Sequence, residues 1–115
     1  PMVAVTLVTP GGAELVSSIT QESADLLGLA PGLAVLALCK ATAVAVSLAG
    51  PAAATGRLVG RIERLSPGAG QDEVVLALEG GGHWVGFAPH PFQGGVGDAA
   101  VASVLPAALV IGLAA

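Results

Sequence analysis

Basic side chains are scarce in this sequence. Lys40, Arg57, Arg61 and Arg64 are the only ones in 115 residues, against eight carboxylates, for a net charge of -4. A surface that grips nucleic acid neutralises phosphates with many lysines and arginines, so direct nucleic-acid binding by this chain is not expected. Cysteine is nearly absent too. Cys39 stands alone, which rules out an internal disulfide and a cysteine-based zinc site, and suits a reducing cytoplasm. Tyrosine is missing, and Trp84, Phe87 and Phe92 are the only aromatic residues. Long uninterrupted apolar runs are lacking as well. A spanning helix needs roughly 20 apolar residues, but 26–39 contains Gly28, Pro31 and Gly32, 41–56 is broken by Gly50 and Pro51, and 99–115 contains Pro106. Pro1-Met2-Val3 has no basic stretch leading into an apolar one, so no signal peptide is expected.

What is present is small and apolar. Hydrophobic residues make up 54% of the chain and charged ones 10%, the reverse of a disordered composition. Ala, Val and Leu supply nearly all of it. So little charge cannot cover a small domain, and part of the surface is expected to be hidden in an oligomer, dimer or higher.

Period-2 alternation dominates. Val3-Ala4-Val5-Thr6-Leu7-Val8 and Leu15-Val16-Ser17-Ser18-Ile19 read as strands around the turn Pro10-Gly11-Gly12. The segment 20–28 reads instead as a short helix, with Thr20 as N-cap, acids in the early turns and Gly28 as the stop. Further strands are expected over 35–40, 43–48, 57–65, 73–78, 84–88, 99–104 and 109–113, with Gly50-Pro51-Ala52-Ala53-Ala54 as linker.

The pattern is written twice. A shift of about 69 lays Val5, Leu7, Gly11, Gly12, Leu15 and Val16 on Val74, Leu76, Gly80, Gly81, Trp84 and Val85. A shift of about 65 lays Gly32, Ala34, Leu36, Val44 and Val46 on Gly97, Ala99, Val101, Leu109 and Ile111. The second copy has lost residues where the first has its helix. The strand at 57–65 has no counterpart in the first copy, which lacks its opening strand. The expected fold is all-β with one short helix: two small OB-like Greek-key barrels in tandem, 1–50 (N-terminally incomplete) and 51–115.

Thr20 and Ser23 occupy the N-cap and N3 positions of the helix, so two hydroxyls and the first-turn N–H groups are expected to converge there on an anion. A plain helix cap is the competing reading. Lys40, the only lysine, ends an otherwise apolar strand; the alternative role for it is an edge-strand gatekeeper.

Ile19-Thr20-x-x-Ser23, Leu27-Gly28-Leu29-x-Pro31-Gly32 and Lys40-Ala41-Thr42-x-Val44 together resemble the Mop or TOBE domain, a molybdate-binding module. The tandem is similar to the di-Mop arrangement of ModE-type regulators and ModG-type molybdate-binding proteins. The resemblance implies OB-like barrels that assemble with molybdate or tungstate held near subunit interfaces, and it assigns Thr20, Ser23, Lys40 and Thr42 as oxyanion ligands. Copy two departs from the pattern: Pro89-His90-Pro91-Phe92 replaces the helix start, Leu105 stands for the lysine, and Ala53-Ala54-Thr55-Gly56 replaces an opening Ser-Ala-Arg-Asn. The anion is therefore expected at copy one.

A small tetrahedral dianion wants several short donors and one positive charge in a dry pocket, not a basic surface. Other constellations are weaker. His83 and His90 lack the further ligands of a zinc site. Gly80-Gly81-Gly82 reads as a hairpin turn, because no lysine or helix follows it as in a nucleotide loop. Arg57, Arg61 and Arg64 read as a solvated strand face with Glu63 on the opposite side, and Cys39 as a small buried hydrophobe. No nucleophile–base pair is visible, and no catalysis is expected. The leading functional expectation is the molybdate-sensing part of a ModE-like regulator whose DNA-binding portion lies upstream. A storage protein, the regulatory tail of a molybdate importer ATPase and a non-binding oligomerisation barrel stay open as alternatives.

Overall fold

A computed structural model describes residues 1–48 and 55–114; the linker expected at 50–54 lies outside them. The described residues form nine strands and one helix: β1 (Met2–Val8), β2 (Glu14–Thr20), α1 (Gln21–Leu27), β3 (Val35–Leu38), β4 (Val44–Ser47), β5 (Arg57–Ser66), β6 (Gln71–Leu78), β7 (His83–Pro89), β8 (Ala99–Val104) and β9 (Val110–Leu113). Every expected strand is present with ends shifted by a few residues. Short 3-10 turns, Ala41–Ala43 and Pro106–Ala108, lead into β4 and β9.

Five strands close a barrel in the order β4-β7-β6-β5-β8. Four of them belong to the second copy, and β4 comes from the first. It runs antiparallel to β8 (Val44 opposite Val104, Val46 opposite Ala102) and meets β7 in parallel at Ala45 and Phe87. In exchange, the last strand of the second copy, β9, pairs antiparallel with β3 of the first, Leu38 opposite Val110. The first copy thus consists of two ribbons, β1-β2 and β3-β9. Among the described residues it forms no closed barrel, because no strand stands beside β1 and β3 as β5 does beside β6 and β8.

Alternation explains the core. Val44 and Val46, Leu58 and Ile62, Val74 and Leu76, and Ala100, Ala102 and Val104 all point inward and are buried. Each fully buried Val, Leu or Ile stabilises by roughly 1.5–3 kcal/mol, and alanines on β8 let the small barrel close around them. Gly86 on β7 is needed where β4 crosses: a Cβ there would lie 2.8 Å from both the Val44 carbonyl oxygen and the Val46 side chain. The repeat places Ser17 at the same point of the first copy. Its Oγ, fully buried, donates to the Leu109 carbonyl at 2.6 Å. The glycine turns of the two copies also touch, with Gly11 against the Glu79 carbonyl and Gly80 against Gly11.

Where the second copy has lost its helix, a buried carboxylate holds the shortened chain. Asp72 Oδ1 accepts from the Gly68 N–H at 3.0 Å and sits 2.7 Å from His90 Nδ1, while Oδ2 accepts from the Phe92 N–H at 3.0 Å. These contacts tie the β5–β6 turn to the loop after β7. The backbone donors of Phe92 and Gly68 hold the Asp72 carboxyl below its usual pKa, more than burial raises it.

Gly86→Ala is expected to cost about 1–3 kcal/mol through overpacking against β4, measured by urea denaturation; an unchanged midpoint would contradict the exchange of β4. Because Asp72 titrates lower in the folded state than in the unfolded one, its contribution is complete above the unfolded pKa and disappears as pH falls through the folded one. Asp72→Asn should therefore melt several degrees below the wild type at pH 7. The gap should narrow as pH drops below about 4, and a gap independent of pH would refute the clamp.

Candidate functional site

Thr20 ends β2 with extended backbone and caps α1. Its Oγ1 accepts from the Ser23 N–H at 3.0 Å and donates to Ser23 Oγ at 2.8 Å. At the other end, Gly28 adopts the left-handed conformation (φ 65°), and its N–H returns to the last turn, the usual helix stop. The helix forms where the sequence places it, but its first turn offers fewer free donors than expected. The Gln21 N–H is taken by the Pro1 carbonyl at 2.9 Å, and the Ser23 N–H by Thr20. Beside these bonds stand two adjoining hydroxyls, Thr20 exposed and Ser23 half-buried.

Lys40 does not end a strand. β3 stops at Leu38, and Lys40 caps the 3-10 turn Ala41–Ala43, with its carbonyl accepting from the Ala43 N–H at 2.9 Å. Lys40 and Thr42 are both exposed. Among the described residues, no carboxylate pairs with the Lys40 ammonium. The turn that carries Lys40 and Thr42 packs on β7 of the second copy, whereas α1 packs on β1 and β2. The structure therefore brings Thr20 to Ser23 and keeps Lys40 beside Thr42, but no hydrogen bond joins one pair to the other within the chain.

Beside Lys40, a cleft of about 370 Å³ opens between the end of β3 and the start of β7, lined by Leu38, Cys39, Ala41, His83, Trp84 and Val85. Cys39 is half-buried there, and desolvation raises its thiol pKa, so it stays protonated and packs as a small apolar group. His83 at the rim pairs with Glu63 at 2.9 Å, both more than half exposed. Glu63 sits at a bulge where the β5–β6 register shifts, so it does not simply alternate with the arginines; Arg61 uses its guanidinium to hold the Gly97 carbonyl at 3.1 Å. Among the described residues, no group of three or more His, Cys, Asp or Glu could hold a metal ion, and no helix is long and apolar enough to cross a membrane. Among the described residues, the buried polar ones are Asp72 and Ser17, and neither was expected from the sequence. An acid between Gln71 and Glu73 at the head of a strand and a serine in an alternating run carry no local signal.

The TOBE domain family matches residues 1–46. The transcriptional regulator ModE of Yersinia pestis is 42% identical over 79 residues, 65% of this chain and 29% of that protein. The chain thus spans less than a third of that curated relative. Among solved structures, the cytoplasmic molybdate-binding protein ModG with molybdate bound superposes with a TM-score of 0.81 at 27% identity, covering 96% of this chain and 84% of that one. The chain thus matches the TOBE domain over its opening residues and shares the fold of ModG along nearly its whole length.

Proposed function

We propose that this chain binds molybdate or tungstate through Thr20, Ser23, Lys40 and Thr42, as the effector-sensing part of a ModE-like, molybdenum-dependent transcriptional regulator. The observation that carries the reading is Lys40. It is the only lysine in the chain, exposed and without a carboxylate partner among the described residues, with a hydroxyl two positions on at the spacing of the family motif. A positive charge with short neutral donors suits a small dianion, because charge-assisted hydrogen bonds are the strong ones.

The two donor pairs sit on different parts of the chain, and each faces solvent. In the proposed assembly, a full donor set forms when one copy's Thr20 and Ser23 meet another copy's Lys40 and Thr42, with the anion at an interface of a homo-oligomer. Apolar exposure supports such an assembly: Leu36, Leu38, Val110 and Leu113 are each about half exposed or more, and small domains rarely leave apolar groups clustered without a partner. DNA contact belongs to another part of the protein, in keeping with the chain's net charge of -4, and the proposed setting is the cytoplasm, where ModG is found. Storage is the second reading, favoured by a fold match that runs along 84% of ModG. The two separate on whether molybdate alters DNA affinity of the intact protein.

Calorimetric titration with molybdate should show binding by the wild type, and Lys40→Ala or Thr20→Ala should weaken it about 10- to 100-fold, the loss of one hydrogen bond to a charged group. Equal heats from all three proteins would remove the site. Mixing the Lys40→Ala chain with the Thr20→Ala chain should restore part of the high-affinity binding, since some interfaces then carry both intact pairs. No recovery after subunit exchange would place all four ligands on one chain.

A further inference from the structure

The two copies close their hairpin ribbons alike and then part. Met2 lies opposite Thr20 at the end of β1-β2, and Gln71 opposite Pro89 at the end of β6-β7. Just beyond, the Gln21 N–H donates to the Pro1 carbonyl at 2.9 Å and the His90 N–H to the Gly70 carbonyl at 3.2 Å. All four positions of the second ribbon stand 69 residues after their counterparts, so the register of the repeat holds in space as far as His90. Two residues on, Phe92 falls in the place of Ser23.

The donor at that place is satisfied differently in each copy. In the first, the Ser23 N–H meets a neutral and exposed group, the Thr20 hydroxyl. In the second, Pro89 stands for Thr20 and has no hydroxyl, and the Phe92 N–H goes to Asp72 Oδ2 at 3.0 Å. Asp72 itself stands where the first copy has the apolar Val3. Its other oxygen accepts from the Gly68 N–H at 3.0 Å and lies 2.7 Å from His90 Nδ1. An ionised carboxylate only accepts, so Nδ1 carries the proton. Donors from three places in the chain thus converge on one carboxylate whose side chain is 4% exposed, and Phe92 packs against the barrel core beside it. Two backbone N–H groups and a ring N–H in a dry place are the partners that a small anion takes.

We propose that the second copy carries an anion pocket of its own, formed by the Gly68 and Phe92 N–H groups and the His90 ring, and that the Asp72 carboxylate is its resident anion. The carboxylate closes this pocket to anions from outside. Once it is removed, the pocket takes a small carboxylate, acetate having the shape and charge of the deleted side chain. The consequence that free oxyanion donors stand in the first copy alone rests on the molybdate reading; the pocket itself does not.

Asp72→Gly removes the carboxylate with its methylene and spares the three donors. At pH 7 in chloride the variant should melt several degrees below the wild type. In about 100 mM acetate at the same ionic strength it should regain half or more of that loss, because a ligand that binds only the folded state raises Tm by mass action. The Gly68 and Phe92 amide signals should move back toward their wild-type positions. Acetamide, with the same shape and no charge, should do neither, and acetate should leave the wild type unchanged. Recovery with acetamide equal to that with acetate reduces the pocket to a packing hole and overturns the proposal. An acetate effect that is equal in the two proteins, or missing from the variant, overturns it too. If Asp72→Gly does not fold in chloride, refolding in acetate should recover it, and failure there is equally fatal. A molybdate titration of the wild type keeps the two readings apart: the Ser23 amide should shift while those of Gly68 and Phe92 stay in place. A motionless Ser23 counts against the molybdate reading and leaves the acetate result standing, whereas movement of Gly68 and Phe92 means that outside anions enter and overturns the resident anion.

Discussion

The exchange of last strands is the constraint from which the rest of the structure follows. β4 completes the hydrogen-bonding of β8 and seals the second copy's core with Val44 and Val46, while β9 does the same for β3 with Ile111. Each half of the chain therefore holds part of the other's interior. Gly86 and Ser17 mark the two crossing points, one by giving space and the other by donating a buried hydrogen bond to Leu109. The 3-10 turns that start each exchanged strand are fixed by the same crossings, and the first of them carries Lys40. The position of the sole lysine is thus set by packing against the second copy and not by the half in which it is encoded.

The two copies have solved the same local problem differently. In the first, a seven-residue helix follows β2, capped by Thr20 and stopped by Gly28. In the second, the corresponding stretch is too short for a helix, and Asp72 gathers Gly68, His90 and Phe92 around one buried carboxylate. Two exposed hydroxyls are left on one side and a self-satisfied polar cluster on the other. That difference in free donors, more than any difference in fold, is why the oxyanion reading attaches to the first copy.

Much of this could be read in the sequence. The helix from Thr20 to Gly28, the glycine turns, the strand alternation and the two-copy register all appear in the structure, because each depends on local backbone preference or on a side-chain period. The exchange was not legible. β4 and β9 carry interchangeable patterns, Val44 and Val46 against Leu109 and Ile111, so alternation reveals that each fills a barrel without revealing which one. The Asp72 cluster was hidden for a different reason: its partners are backbone N–H groups and a histidine 18 residues away, contacts that leave no periodic trace. For the candidate site, residue types and spacing singled out four residues as candidates, but their grouping into two separate pairs depends on tertiary packing.

The reciprocal strands also make the two halves inseparable. Once two tandem copies trade their final strands, neither can be removed, nor its last strand truncated, without opening the other. The second copy therefore holds a structural place that depends on neither a helix nor a lysine, because β9 completes β3 and β8 carries β4.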